Sequence, residues 1–227
     1  QSPGTLVVND DFENNGTFTP GSNNVAFQGQ TDTGGGDPSS ESCTGIETAD
    51  GDCEQDLIGS GHYSFGPVDI DNDNTRVVLS QAEEVANTPV ISTLTIDPGN
   101  DDSNVQFKLN DSDLNVTGDI NNNGSFKAGN KLVSFVGGTT QTLSSPDKFD
   151  FARVRLSNGT DPALELNSTT FQVDSLDIEQ GRFVVDSGDE LLVRRELRLA
   201  GGNGSRISVD IQSGGRGVLG HNGTLEY

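Results

Sequence analysis

Residues 114–137 read LNVTGDINNNGSFKAGNKLVSFVG, and they lie over residues 6–29, LVVNDDFENNGTFTPGSNNVAFQG, at a constant offset of 108 with no gap. Asn15, Gly16, Phe18, Gly21, Val25 and Phe27 meet Asn123, Gly124, Phe126, Gly129, Val133 and Phe135. Further on, residues 63–72 (YSFGPVDIDN) match residues 149–158 (FDFARVRLSN) at offset 86, and Thr93-Leu94-Thr95-Ile96 matches Ser175-Leu176-Asp177-Ile178 at offset 82. The chain therefore runs through one itinerary twice. The fall from 108 to 86 assigns 22 extra residues of the first copy to the stretch between Gly29 and Tyr63. A third, looser start at Leu191 brings Asn203-Gly204-Ser205 to the place of Asn123-Gly124-Ser125. These offsets predict a single repetitive β domain over residues 1–227. Its first repeat covers about 6–113 with a disulfide-stapled surface insert at 30–62, its second about 114–190, and a partial third 191–227.

Within each copy the apolar residues alternate: Val68 and Ile70, Val154 and Leu156, Leu164 and Leu166, Leu176 and Ile178, Leu197 and Leu199, Ile207, Val209 and Ile211. A period of two marks strands with one buried face. The strands are separated by Asn-Gly, Asp-Pro, Pro-Gly, Ser-Gly and Gly-Gly, dipeptides that supply or preset turn conformations. Only residues 80–87 (SQAEEVAN) suggest a helical turn. Short, evenly punctuated strands with internal repetition predict an all-β chain. A repetitive, parallel β-helix-like solenoid is favoured and a β-sandwich or jelly roll is the alternative. The aromatic fraction is 6% with no tryptophan, so a sandwich core has few large anchors, whereas a solenoid is filled by stacked Val, Ile and Leu.

The net charge is −22. Residues 1–107 hold 19 acidic side chains against one basic residue, Arg76, while residues 108–227 hold 16 against 12. Such a surface repels phosphate backbones and anionic headgroups, which excludes nucleic acid as a partner. No apolar run is long enough for a membrane span. A chain that opens on Gln1 and contains no methionine is read as an exported product from which a leader has been removed.

The two cysteines, Cys43 and Cys53, enclose nine residues rich in Thr, Glu, Asp and Gly, and in an exported chain they read as one disulfide closing one loop. The two histidines, His62 and His221, are far apart, so neither a zinc set nor a Ser-His-Asp triad can be assembled. With two tyrosines and no tryptophan there is little aromatic platform for a glycosidase, and no catalytic residue is assigned. No cofactor is expected either, apart from a calcium reading of the stretch DIDNDN through Asp69, Asp71 and Asp73. Against that reading, an EF-hand needs Gly at its sixth position and Glu at its twelfth, and those positions hold Asn74 and Ser80. Eight Asn-x-Ser/Thr triplets occur, at Asn15, Asn110, Asn115, Asn123, Asn158, Asn167, Asn203 and Asn222.

The pattern NNGTFTPGSNNVAFQG, with its partner NNNGSFKAGNKLVSFVGGTTQTLSS followed by FDFARVRLSNG, resembles the repeats of large adhesin-like surface proteins exported by type IX secretion in Bacteroidetes-type bacteria. The resemblance covers most of residues 6–29, 63–72 and 114–226, and no C-terminal sorting domain of that family is recognisable. It implies an extracellular, cell-surface, structural or adhesive protein and no catalytic residues. The expected function is a subunit of a self-assembling filament, joined head to tail or by donation of an N-terminal strand, with itself as partner. Gln1, Leu6, Val7, Val8, Leu225 and Tyr227 are the assembly residues. The alternatives are an adhesion module for a cell surface or extracellular polysaccharide, and a polysaccharide-active β-helix enzyme. The charge asymmetry further predicts that Arg153, Arg155, Arg182, Arg194, Arg195, Arg198, Arg206 and Arg216 meet the acidic half of a neighbouring subunit.

Overall fold

The structure is a computed structural model that describes residues 4–9, 11–28, 46–47, 53–58, 60–71, 75–80, 88–97, 105–159, 162–167, 169–200, 207–211, 213, 215–219 and 224–226. Among them every secondary-structure element is a strand, and the strands stack as a parallel β-solenoid. The sandwich alternative is excluded by the pairing. Sandwich sheets are built from antiparallel neighbours, whereas here all pairs are parallel except that of Ile46–Glu47 with Cys53–Ile58.

Three ladders run along the coil. On the first face the Cα partners are Leu6, Val25, Val68, Leu94, Ile120, Leu143 and Leu166, each directly over the one before. On the second, Phe12, Leu57, Leu79 and Leu109 form one row. On the third, Leu114, Val133, Val154, Leu176 and Leu197 do the same. Successive partners on that face are 19, 21, 22 and 21 residues apart, so one turn of the coil takes about twenty residues. Strands stacked at about 4.8 Å place like side chains in van der Waals contact, so alternating Val, Ile and Leu close a dry interior without any helix.

The sequence offsets are ladder registers. Leu6, Val25, Val68 and Leu94 were matched to Leu114, Val133, Val154 and Leu176, and each set proves to be one continuous column. The two columns lie on different faces, because the chain between Leu94 and Leu114 advances by less than a whole turn.

The interior differs from the expectation of Val, Ile and Leu alone. All eleven phenylalanines lie in the core or pack against it. Phe107, Phe126, Phe151, Phe171 and Phe183 form a continuous spine of touching rings through the core, with successive ring centroids 5.5, 5.5, 5.2 and 5.2 Å apart. The modest aromatic fraction concealed this, since composition does not report which rings meet.

The insert expected at 30–62 needs correction at its C-terminal end. Cys53–Ile58 is a rung of the second face, paired to Phe12–Glu13 on one side and Thr75–Leu79 on the other, with Leu57 buried. A gap placed by matching the flanking copies cannot show where within the gap the chain rejoins the coil. Residues 81–87 of the expected helical turn lie outside the described residues.

Corners use glycine and amide side chains. Gly181 has φ +96° and bends the long strand Thr170–Val185 from the third face to the first, and a Cβ there would stand 2.9 Å from the Pro162 carbonyl oxygen. Gln141 is fully buried and donates to the carbonyls of Val116 and Gly118, at 3.0 and 2.8 Å. Asn158 is equally buried and donates to Thr139 and Ala163. It is thereby removed from the eight candidate glycan acceptors.

Tyr63 gives the fold a pH dependence. It is fully buried in a cluster with Phe12 and Phe65, and its hydroxyl donates to the Ile58 carbonyl, close to that of Phe12. Burial, offset in part by a hydrogen bond from the Asn14 backbone and reinforced by the Glu13 charge, pushes its pKa up to about 12. The unfolded chain ionises near the ordinary value of 10.0 while the folded chain keeps its proton, so stability present below pH 10 is lost as pH rises towards 12. The expected loss is about 2–3 kcal/mol. Denaturant titrations at both ends of that window should show a steeper decline in the parent than in Tyr63→Phe; parallel declines would refute it.

Candidate functional site

Two places break the regular stacking, and the residues expected to carry function are distributed between them and the sides of the coil. The first place is the pair of ends. Thr5–Val8 is the outer strand of the first face, and Leu6 and Val7 are 40% and 45% exposed although Leu6 stands in the apolar column. At the opposite end of the same face, Ile207–Ile211 pairs, among the described residues, only with Thr170–Val185, and Ile211 is 49% exposed although its partner Val185 is buried. These are among four large apolar side chains exposed in the described residues. Val8 is buried, against the Phe27 column. Of the other expected assembly residues, Leu225 pairs with Leu197 on the third face, and Gln1 and Tyr227 lie outside the described residues.

The sides carry an ionic lattice. Arg198 meets Asp177 at 3.2 Å and Arg216 meets Glu190 at 3.4 Å, in both cases directly across one rung. Arg194 binds Asp150 and, at 2.7 Å, Asp174, which also holds Arg195. Burial acts to lower the Arg194 pKa, but the two carboxylates outweigh it and hold it above its ordinary value. Arg153, Arg155 and Arg182 pair with Asp113, Glu179 and Asp210. Seven of the eight arginines expected at a subunit junction therefore already have carboxylate partners in their own chain, and Arg206 lies outside the described residues. Each exposed pair contributes about 0.2–1 kcal/mol, so together they fix rung register more than they stabilise. Sequence reasoning missed the lattice because its partners lie one or two turns apart, without local signal.

The second break is in the second face. Its ladder ends at Ser125–Lys127, and the next strand, Lys148–Ser157, pairs with Leu132–Phe135 and Thr170–Val185 but not with Ser125–Lys127. A turn at Gly129, with φ +59°, and Pro146, which has no N–H to donate, lead the chain past this point. Inside, Phe126 still touches Phe151, so the core is continuous while the backbone opens at the surface. The result is a cleft of about 730 Å³, lined by Asn122, Lys127, Asp147, Lys148, Asp150 and Arg194 among others. Nothing in the sequence announced it, because the opening reflects a missing pairing.

The remaining candidates are separate from both places. Asp69 accepts a 2.6 Å hydrogen bond from Asn24, Asp71 ends the strand His62–Asp71, and Asp73 lies outside the described residues. Among the described residues no three His, Cys, Asp or Glu side chains converge to hold a metal ion. Cys53 opens the strand Cys53–Ile58 and Cys43 lies outside the described residues, as does His221. No helix among the described residues is long and apolar enough to cross a membrane. No family model matches the sequence, and neither a curated protein nor a solved structure matches the chain.

Proposed function

We propose that this chain is an extracellular structural protein whose coils stack end to end into a fibre. The carrying observation is the exposure of Leu6 at one end of the first face and of Ile211 at the other, each in an inward-facing position where a further rung would bury it. The inward pairs match in spacing and direction. Leu6 and Val8 alternate as Val209 and Ile211 do, so Ile207–Ile211 of one copy continues the parallel ladder over Thr5–Val8 of the next. A contact between unlike ends that carries the ladder on along the coil axis does not return to its start, and repetition yields a filament. The acidic sides disfavour lateral aggregation, and the resemblance to exported surface-protein repeats supports the extracellular setting. No catalytic step is part of this reading.

Sedimentation velocity of the purified chain tests it. The expected result is a series of species at whole multiples of the 23.9 kDa chain that lengthens with concentration. A single monomeric boundary at every concentration would overturn end-to-end stacking.

A further inference from the structure

The interruption at the cleft is confined to the second face. Across the same two rungs the first face is held by Ile120 with Leu143 and Asn121 with Ser144, and by the Thr142 amide, which donates to Asp119 at 2.7 Å. The third face is held by four pairs, from Leu132 with Arg153 to Phe135 with Leu156. The corner between those two faces lies opposite the second face, and there Gln141 donates to the carbonyls of Val116 and Gly118, and Asn158 to that of Thr139. Among the described residues no ladder bond or ion pair joins 125–127 to 148–151. What remains across the mouth is one edge-on ring contact, Phe126 with Phe151 at 82° and 5.5 Å, which lets the rings roll on each other without losing burial. Two rungs tied along one corner and free along the opposite face have the mechanics of a joint.

A joint needs two arrangements that differ in their contacts, and the charges at the mouth provide them. The first face pairs these rungs at an offset of 23, Ile120 with Leu143. Five residues further along each rung, the same offset sets Ser125 against Lys148 and Lys127 against Asp150. With the mouth open, Asp150 belongs to Arg194, two rungs further on, while Lys127 stands over Lys108, a like charge. With the mouth shut, Lys127 meets Asp150 directly across one rung, the arrangement that Arg198 and Asp177 adopt on the third face. Arg194 keeps Asp174, at 2.7 Å, in either case. Release of Asp150 therefore strands no charge, and the missing backbone bonds of the ladder form at the same time.

We propose that the coil carries a hinge here. Its second face opens and shuts between these two rungs, turning about the corner of Gln141 and Asn158, and Asp150 passes from Arg194 to Lys127 as the mouth shuts. The cleft of about 730 Å³ is the open position. Shutting it bends the coil axis towards the second face, so a coil that is stiff where its three ladders run together gains a place to bend. The joint lies within a single chain and is independent of how the ends assemble.

Residue-resolved hydrogen exchange on the full chain tests it. In the parent, the amides that face the cleft from 125–127 and 148–151 should exchange faster than the ladder amides of Leu132–Phe135 and Gln141–Ser144, which belong to the same two rungs. Arg194→Gln should slow the cleft amides by up to about threefold, the scale of one exposed ion pair, because it leaves Asp150 to Lys127. Lys127→Gln should quicken them by a similar factor. The other two faces should be unchanged in both variants. The sign distinguishes a hinge from a brace, since deleting an arginine that only braced the fold would quicken exchange. Cleft amides as slow as their neighbours in the parent, cleft rates unmoved by both variants, or quickening in Arg194→Gln would each overturn the proposal. So would a change shared by all three faces, which is a loosening of the whole coil.

Discussion

Replacing Phe171 by alanine is expected to cost about 3–5 kcal/mol of folding stability. The side chain is fully buried, and its ring lies 5.2 Å from Phe151, 5.2 Å from Phe183 and 6.4 Å from Phe149. Its Cα partners are Phe149 on one rung and Leu191 on the other, so truncation opens a void bounded by ladders of hydrogen bonds. In a coil each rung touches only its neighbours, and no distant element can move in to fill the space. Phe12, which is only partly buried against the core, gives the comparison. Guanidinium unfolding of Phe171→Ala and Phe12→Ala should show the first with clearly the larger loss. A loss below about 1 kcal/mol for Phe171→Ala, within the range of ordinary surface changes, would mean that the phenylalanine spine is not packed as described.

The second large effect is on assembly. A lysine at Leu6 or at Ile211 places a charge where the proposed junction buries an aliphatic side chain, and every junction contains one of each end. Either single substitution should therefore abolish stacking, because a charge left unpaired in an apolar contact carries a large desolvation cost. Folding should be nearly unaffected, since both side chains are exposed in the separate coil. Each variant is expected to sediment as a monomer with the parent's melting temperature. Variants that assemble like the parent would place the junction elsewhere.

These two predictions rest on features that differ in how far the sequence disclosed them. The columns Leu6 to Leu94 and Leu114 to Leu176 were legible as offsets, because each turn re-presents an apolar residue at the same point of the coil and the interior accepts little else. Of the residues expected at the ends, Leu6 and Val7 are exposed, Val8 is buried and Leu225 pairs with Leu197 on the third face, while the exposed Ile211 was not among them. What stayed hidden depends on contacts one or two turns apart. The Asp150–Arg194–Asp174 bridge has no local pattern, because its spacing varies with each corner. Cys53–Ile58 was hidden for a related reason: alternation is weak across Gln55, Asp56 and Leu57, where a buried amide replaces an aliphatic residue beneath Val77. Asn122 is the same substitution in the first face, and there the amide marks the cleft.

Fibre diffraction from an oriented specimen of the assembled chain tests the central claim most directly. If the coils stack end to end with their ladders continued across each junction, strands lie across the fibre and rungs repeat along it. A strong reflection at about 4.8 Å should then fall on the meridian. The same reflection on the equator would show coils lying across the fibre and joined by their sides, and would contradict end-to-end stacking.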